Sequence, residues 1–428
     1  GIEYWDRVPL ADLVTADMAC SSCGSCSFKK EQNILDVWFD SGISHYAVLS
    51  RTKGLSYPAD MYLEGIDQHR GWFQSSLLTS MALEGTPCMR TIVTHGYTVD
   101  EKGRKMSKSL GNVVAPQEII DRIGTDGLRL WVSSIEMQGD VVVSNALLTN
   151  VQESYRKIRN TCRFLLQNLY DFDIKKDAVA YDQLLTLDAY AYHELVHFNE
   201  QVRKAYEQRN LTGVFHAFVD YCNGELSSFY LDIIKDRLYT DSAQGHARRS
   251  AQTVCWIILD TMTRLMAPIL SFTAEQLSDF YQKDKNDSIH LQDFPVLEKM
   301  SELEKKEAQW GALRNVRAAV LKALEALRQK NIVKHSLEAK VTLIMNTNQE
   351  PMTLIKELLS DVQRAGQSKT DFLKEFFIVS ACDLVESDSD YEQEDEDDQT
   401  AYCADALKGL YVKAGHAAGS KCPRCWQW

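Results

Sequence analysis

The sequence predicts an α/β domain over residues 34–144, an all-α bundle over 145–282 and a small mixed α/β module over 283–428, preceded by a cysteine-bearing stretch over 1–33. Three observations carry that reading. Up to about residue 144, short β-branched runs alternate with helix-length segments, the pattern of strands joined by helices in a parallel sheet. From there to 282, apolar residues recur every three or four positions almost without a break. Beyond a polar connector, one long amphipathic helix gives way to a segment that alternates like a strand.

The elements follow in order. Ile34–Phe39 (ILDVWF) is a short apolar run and reads as a buried strand. Asp60–Gly65 is a second strand, ended by glycine. Gly71–Gly85 has the make-up of a helix closed by Gly85. Arg90–Val99 is a β-branched strand that runs into the polar loop Asp100–Asn112. Pro116 suits the first turn of a helix ending at Gly124, because its missing N–H is one that a first turn leaves unpaired anyway. In the bundle, Ile158, Cys162, Leu165, Leu166 and Leu169 keep helical spacing, as do Val254, Ile257, Ile258, Leu265, Met266 and Ile269. Pro268 should kink or end the second of these helices, and Thr273 with Gln276 reads as a capping box opening the next. Asp284–Pro295 is a polar connector; Leu313, Val316, Val320, Leu324 and Leu327 then mark a long helix, and Ser336–Met345 a strand.

Composition narrows the class. The chain is 45% hydrophobic and 25% charged over 428 residues, as expected of a globular protein of two or three domains. No apolar run is long enough to span a bilayer, and no signal-peptide pattern opens the chain, so no membrane partner is expected. Eleven cysteines are scattered, several of them singly in helical segments (Cys162, Cys222, Cys255), which points to the reducing cytoplasm rather than to a disulfide scaffold. The net charge is −13, yet nine of the acids crowd into Glu386–Asp398, a run expected to be a solvated loop. Global charge therefore neither supports nor excludes a nucleic-acid partner, and a local basic face would decide it.

The sharpest motif is Lys105-Met106-Ser107-Lys108-Ser109, on a loop after a strand and followed by Leu-Gly-Asn. Two lysines three apart on a mobile loop can close over a polyphosphate, each ammonium a compact charge with three donors. Phosphoryl chemistry needs such charge where a leaving pyrophosphate develops its own. The pentapeptide resembles the second signature of the class I aminoacyl-tRNA synthetases. Two further segments, Asp36–Gly42 (DVWFDSG) and Leu63–Phe73 (LEGIDQHRGWF), are similar to the isoleucine branch of that family nearly letter for letter. The resemblance continues through the bundle to the final CPRCW.

The resemblance implies the second half of a Rossmann-like catalytic domain over 34–144, with 1–33 the end of a connective insertion, an anticodon-binding bundle over 145–282 and a tRNA-contacting module over 283–428. It implies amino-acid activation by ATP with Mg²⁺, then transfer of isoleucine to tRNA(Ile), by a monomer. Lys105 and Lys108 are the implied catalytic pair, Lys108 also binding ATP beside His95 and Val99; His95 reads equally as a core histidine. Glu64, Gly65, Asp67 and Gln68 are the implied contacts of the isoleucyl-adenylate, Gly65 allowing close approach to the backbone. Trp38 and Trp72 can wall an apolar slot for the side chain.

Departures from the pattern matter. None of the ten histidines forms the His-x-Gly-His of the family's first signature, and the inserted editing domain is absent. The chain alone is therefore expected to be inactive. A free-standing tRNA-binding or regulatory protein derived from such an enzyme, or a valine-type synthetase, are the alternatives. Arg156, Lys157, Arg159, Arg203, Lys204, Arg248 and Arg249 are candidate phosphate contacts in the bundle. Cys422-x-x-Cys425 has zinc-knuckle spacing and offers two of the four ligands that Zn²⁺ takes. Cys20 and Cys23 are a second such pair, with a chance cysteine-rich loop as the other reading. His193-Glu194-Leu195-Val196-His197 spells H-E-x-x-H, the spacing of zinc peptidases, but its flanking residues fit an ordinary bundle helix.

Overall fold

The computed structural model describes residues 2–136, 138–282, 285, 287–389, 400–403 and 407–428. Most of the acidic run (390–398) and residues 284 and 286 of the connector lie outside them. Two compact units divide the chain, Gly1–Ser107 with Met137–Val142, and Lys108–Glu136 with Val143–Trp428. By compactness the break falls at Lys108, inside the segment read from sequence as one domain.

The first unit contains α1 (Ile2–Arg7), α2 (Val37–Gly42), β1 (Tyr62–Gly65), α3 (Trp72–Glu84), β2 (Ile92–His95), β3 (Thr98–Val99) and β4 (Val141–Val142). β1 and β2 pair in parallel from Tyr62↔Ile92 to Gly65↔His95, with α3 as the crossover between them. Parallel neighbours require such a crossover, since no tight turn can join them. Tyr62, Phe73 and Cys88 are the buried cluster beneath α3. As the sequence predicts, α3 stops at Gly85, whose φ of +68° is the left-handed conformation that glycine adopts without strain.

Two expectations fail here. Ile34–Phe39 is not a buried strand: Val37–Gly42 is helical, and Ile34, Leu35, Val37, Trp38 and Phe39 are exposed. A short apolar run has no period that separates strand from helix. What decides is Asp36, whose carboxylate accepts from the Trp38 N–H at 2.8 Å as an N-cap. The strand Arg90–Val99 is broken in two at Gly96-Tyr97. There the chain runs against Gly139, whose carbonyl oxygen lies 2.3 Å from where a Cβ on Gly96 would sit. β3 beyond the break pairs with β4 instead.

The second unit begins with α4 (Pro116–Ile123) and α5 (Thr125–Ser133). Its bundle continues with α6 (Asn145–Gln167), α7 (Ile174–Asp177), α8 (Thr186–Glu207) and α9 (Leu211–Asp220), the last running into a wider-wound stretch, Tyr221–Tyr230. Then come α10 (Leu231–Ile233), α11 (Lys235–Thr240), α12 (His246–Met266) and α13 (Ser271–Tyr281). Pro116 occupies the first turn of α4 and Gly124 follows its end, as expected. α12 stops two residues before Pro268. The capping box is not where the sequence suggests. α13 opens at Ser271, and Thr273 lies inside it, its hydroxyl donating to the Asp126 carboxylate rather than to the helix's own backbone. The Asp126 carboxylate also accepts from the Thr273 N–H at 2.7 Å, so a distant side chain caps α13.

The remainder contains α14 (Ser301–Glu304), α15 (Glu307–Gln329), β5 (Ala339–Asn346), α16 (Glu350–Arg364), α17 (Lys369–Phe377), β6 (Ala381–Ser387), β7 (Thr400–Cys403) and β8 (Leu410–His416). Leu313, Val316, Val320, Leu324 and Leu327 of α15 are fully buried, which bears out the long amphipathic helix. The strands form one sheet in the order β6-β5-β8-β7, parallel between β5 and β6 and antiparallel elsewhere. Ala339, Val341, Leu343 and Met345 alternate into its core along β5.

A buried ion cluster stitches this module to the bundle. Arg237 of α11 donates to the Asp188 carboxylate of α8 at 2.8 Å and to Glu375 of α17. Tyr230 and Ser250 donate to the same Asp188 at 2.9 and 2.6 Å. Burial in low dielectric is costly for each charge alone, and mutual pairing offsets it. Burial pushes the Glu375 carboxyl up, and the Arg237 guanidinium opposes that.

Candidate functional site

The parallel register sets Gly65 beside His95, so the carboxyl ends of β1 and β2 lie together. In open α/β sheets that edge is where ligands bind. The chain leaves β1 through Glu64 and Gly65, makes one tight turn over Ile66–Arg70 that carries Asp67 and Gln68, and enters α3 at Trp72. A Cβ on Gly65 would lie 2.7 Å from Asp67 Oδ1 and 3.7 Å from His95 Cε1, so a side chain there would displace the Asp67 carboxylate. Glu64 is exposed and its Oε2 accepts from the Gly65 N–H at 2.9 Å. His95 Nδ1 lies 2.9 Å from the Gly96 carbonyl, which orients the ring.

Gly71 is the second focus. A Cβ there would meet Gln68 Oε1 at 2.5 Å and the six-membered ring of Trp38 at 2.9 Å. Gln68 Oε1 accepts from the Trp72 N–H at 3.0 Å and keeps a second lone pair for another donor. The Trp72 indole donates to the Ser41 carbonyl at 3.0 Å and stacks on Tyr62, with centroids 4.2 Å apart and planes 2° from parallel. α2 itself lies close on α3, since a Cβ on Gly42 would come within 2.8 Å of Ser75, and Thr79 of α3 donates to the Gly42 carbonyl at 2.9 Å. The two tryptophans, Gln68 and Gly71 thus form one cluster, with Trp38 about half exposed (49%) and Trp72 held from two sides.

The lysine loop is a tight hairpin at its base. Met106 donates to the Thr98 carbonyl, Asp100 to the Arg104 carbonyl, and Gly103 turns the tip at φ +72°. An Asp100–Arg104 ion pair of 2.7 Å closes it. The Lys105 ammonium sits 3.7 Å above the Tyr97 ring, a cation–π contact, and the residue is exposed. Val99 is buried, so its side chain offers little surface to a ligand. Lys108 is exposed and opens the turn Lys108–Leu110 in the second unit.

The two cysteine pairs fold alike. The Gly24 N–H donates to the Cys20 carbonyl at 2.8 Å and the Cys20 N–H to Ser25 at 2.9 Å. The Trp426 N–H donates to the Cys422 carbonyl at 3.0 Å and the Cys422 N–H to Gln427 at 2.7 Å. Both turns pass through a left-handed residue, Gly24 at φ +71° and Trp426 at φ +64°. Backbone N–H groups of Cys23 and Ser22 hold the Cys20 thiol below its usual range, and those of Cys425 and Arg424 do the same for Cys422. Amides aimed at sulfur favour the thiolate, the form that binds a metal, and each turn offers two sulfurs.

In the second unit a cavity of about 740 Å³ opens between α6 and α13. Arg122, Arg156, Arg159 and Arg163 line it, with Gln152, Tyr155 and the exposed Phe280. Gln152, Arg156, Arg159 and Arg163 share one face of α6 at helical spacing, and Arg159 lies over the Tyr155 ring. Sequence reasoning found Arg156 and Arg159 and missed Arg122 and Arg163. The i, i+3, i+7 spacing from Arg156 signalled Arg163; Arg122 comes from a separate helix, and only the fold brings it to the cavity. Lys157 and Lys204 are exposed but do not line the cavity. Arg203 donates to the Pro295 carbonyl. Arg248 and Arg249 are corrected: both are buried, Arg248 in a two-pronged pair with Asp171 at 2.6 and 2.9 Å. They brace α12 and are closed to RNA.

Residues 5–144 match the family model described as tRNA synthetases class I (I, L, M and V), and residues 188–343 the one described as the anticodon-binding domain of tRNA ligase. Isoleucine–tRNA ligase of Geobacter sulfurreducens is 44% identical over 430 residues, covering 100% of this chain. Those of Syntrophotalea carbinolica and Desulforamulus reducens are 43% and 45% identical, again across 100% of the chain. The chain belongs to the class I aminoacyl-tRNA synthetases. It spans 44% of the length of each of these three relatives. Among solved structures, a LeuRS–tRNA–LeuAMS complex from Agrobacterium radiobacter K84 aligns over 77% of this chain and 38% of its own, at 16% identity and a TM-score of 0.49. A class I catalytic fragment followed by a helical anticodon-binding domain is thus the architecture of this synthetase chain.

Proposed function

We propose that this chain is the part of an isoleucine–tRNA ligase that seats the isoleucyl-adenylate and grips tRNA(Ile). The observation that carries the reading is the convergence of Trp38, Gln68, Gly71 and Trp72 beside the carboxyl end of β1, in a chain aligned throughout with isoleucine–tRNA ligases. In the reaction proposed, the isoleucine carboxylate attacks the α-phosphorus of Mg²⁺-bound ATP. The carboxyl–phosphate bond forms, the bond to the β-phosphate breaks, and pyrophosphate leaves. A terminal ribose hydroxyl of tRNA then attacks the acyl carbon, and AMP leaves.

Each group has a role its surroundings permit. Trp38 and Trp72 offer flat apolar walls to the isoleucine side chain. The free lone pair of Gln68 Oε1 accepts from the substrate ammonium. Gly65 admits the adenylate to the backbone, with Glu64 and Asp67 as acceptors and His95 and Val99 beside the base. Lys105 and Lys108 neutralise charge on the departing pyrophosphate. The arginine cavity suits a phosphate backbone, and Phe280 suits an unstacked base. The two knuckles fit Zn²⁺ as partial ligand sets, in which the metal would serve as a structural brace. The described cysteines are free, as suits the cytoplasm, and no described helix is long and apolar enough to cross a membrane.

Filter binding of this chain to tRNA(Ile) and tRNA(Val) transcripts tests the reading. The expected result is tighter binding of tRNA(Ile), weakened by Arg156→Ala with Arg159→Ala. Equal binding of the two transcripts would overturn the isoleucine assignment, and no binding at low salt would overturn the RNA role.

A further inference from the structure

The H-E-x-x-H segment does something its neighbours in the bundle do not. His193 and His197 lie one turn apart on α8 and bring their Nε2 atoms to 3.0 Å. Their rings meet edge-on, at 76°. From α15, Glu307 sets Oε1 3.4 Å from each of the two nitrogens. This is the one group of at least three metal-capable side chains with converging ligand atoms among the described residues.

From this geometry we propose that His193, His197 and Glu307 form a binding site for a divalent transition-metal ion such as Zn²⁺, clipping the start of α15 to α8. The distances are those of a tetrahedral face. Tetrahedral zinc at about 2.0–2.1 Å from its ligands sets them about 3.3–3.4 Å apart. The triangle here has sides of 3.0, 3.4 and 3.4 Å. A point about 2.05 Å from all three atoms lies about 0.8 Å off their plane, against about 0.7 Å for an ideal tetrahedron. Two imidazoles and one carboxylate suit zinc, cobalt or nickel better than the hard magnesium or calcium ions. His193 is buried, while the side chains of His197 and Glu307 are 49% and 56% exposed. The fourth position therefore faces water.

The site is preformed by packing. Trp310, one turn beyond Glu307, is buried and stacks on Tyr190, one turn before His193, with centroids 4.1 Å apart and planes 12° from parallel. The connector fixes the approach from the other side. Tyr192 donates to the Glu298 carbonyl at 3.1 Å and Asn199 to Pro295 at 3.2 Å. A metal bound here would order ligands that the fold already holds, so little entropy opposes it. The peptidase chemistry of the motif does not follow. Glu194, its base position, is a neighbour of the Tyr190 hydroxyl, whose proton is held first by burial and then by that carboxylate. The ion would join two helices.

Zn²⁺ titration of the full chain against a competing chelator tests this, with His197→Ala and Glu307→Gln as variants. Both side chains are about half exposed, so the variants should fold. Because the cysteine pairs would compete for zinc, the readout is the loss of one equivalent relative to the unsubstituted chain. Co²⁺ spectra should at the same time lose a component that lacks sulfur-to-cobalt charge transfer. Each variant should weaken this site at least about tenfold and abolish its share of the zinc-induced rise in Tm. Unchanged stoichiometry, spectra and Tm shift in both variants would overturn the proposal and leave a hydrogen-bonded imidazole pair only.

Discussion

In the first unit the buried cluster is small, Tyr62, Phe73 and Cys88, and large apolar side chains such as Leu63, Ile66, Leu77, Leu78, Met81 and Ile92 are exposed. In the second, α12 is buried along most of its length, together with paired charges at Asp188, Arg237, Arg248 and Arg249. The unit bearing the adenylate candidates therefore holds its functional side chains by local bonds: a cap at Asp36, an indole on a carbonyl, a glutamine on an amide. The bundle holds its own by burial. A matched pair makes the contrast plain, because each unit stacks one tryptophan on one tyrosine, Trp72 on Tyr62 and Trp310 on Tyr190, at nearly equal distance.

That contrast can be broken by measurement. The largest effect should come from Arg237→Ala, which strands the Asp188 and Glu375 carboxylates without a counter-charge and should cost about 3–5 kcal/mol in urea denaturation. A loss under about 1 kcal/mol would show that the bundle does not depend on its buried charges. Trp310→Ala should cost about 3–5 kcal/mol and Trp72→Ala only about 2 kcal/mol, since the second ring is partly exposed. Equal costs would erase the distinction between the units. Asp36→Ala should cost about 1 kcal/mol through loss of the α2 cap, read as a lower Tm.

The smallest effect concerns pH. Lys285 holds the Glu275 carboxyl down to about 2, with Ser288 donating a further hydrogen bond. The folded value lies below the ordinary one of 4.5, so this contact stabilises above pH 4.5 and its contribution fades as pH falls towards 2. The Glu275 side chain is 35% exposed, so the contribution should stay under about 1 kcal/mol. Glu275→Gln should thus lower Tm slightly at pH 7 and not at pH 2, and an equal effect at both would remove the charge from the explanation.

What could be read from the chain was punctuation and period. Gly85, Pro116 and Gly124 mark helix ends by backbone geometry alone, and the stripe on α15 is long enough to be unambiguous. Ile34–Phe39 was misread for want of a period, but the misreadings in the second unit share another cause: partners remote in sequence. Arg248 and Arg249 look like surface charges until Asp171 is placed beside them, and Thr273 looks like a cap until Asp126 takes that role. The Trp38–Gln68–Trp72 grouping was legible through family resemblance, because nothing in the spacing of residues 38 and 72 brings them to Gly71. The pairing of His193 with His197 was legible as helical spacing, but Glu307, more than a hundred residues on, was not.

The Asp188–Arg237–Glu375 cluster has a consequence for assembly. A guanidinium that receives one carboxylate from α8 and another from α17 works as a gauge. Were α17 to dock a turn too early or too late, an acid would be sealed away from both water and its counter-ion. The C-terminal module can thus seat on the bundle in one alignment, chosen by a charge that tolerates no near miss.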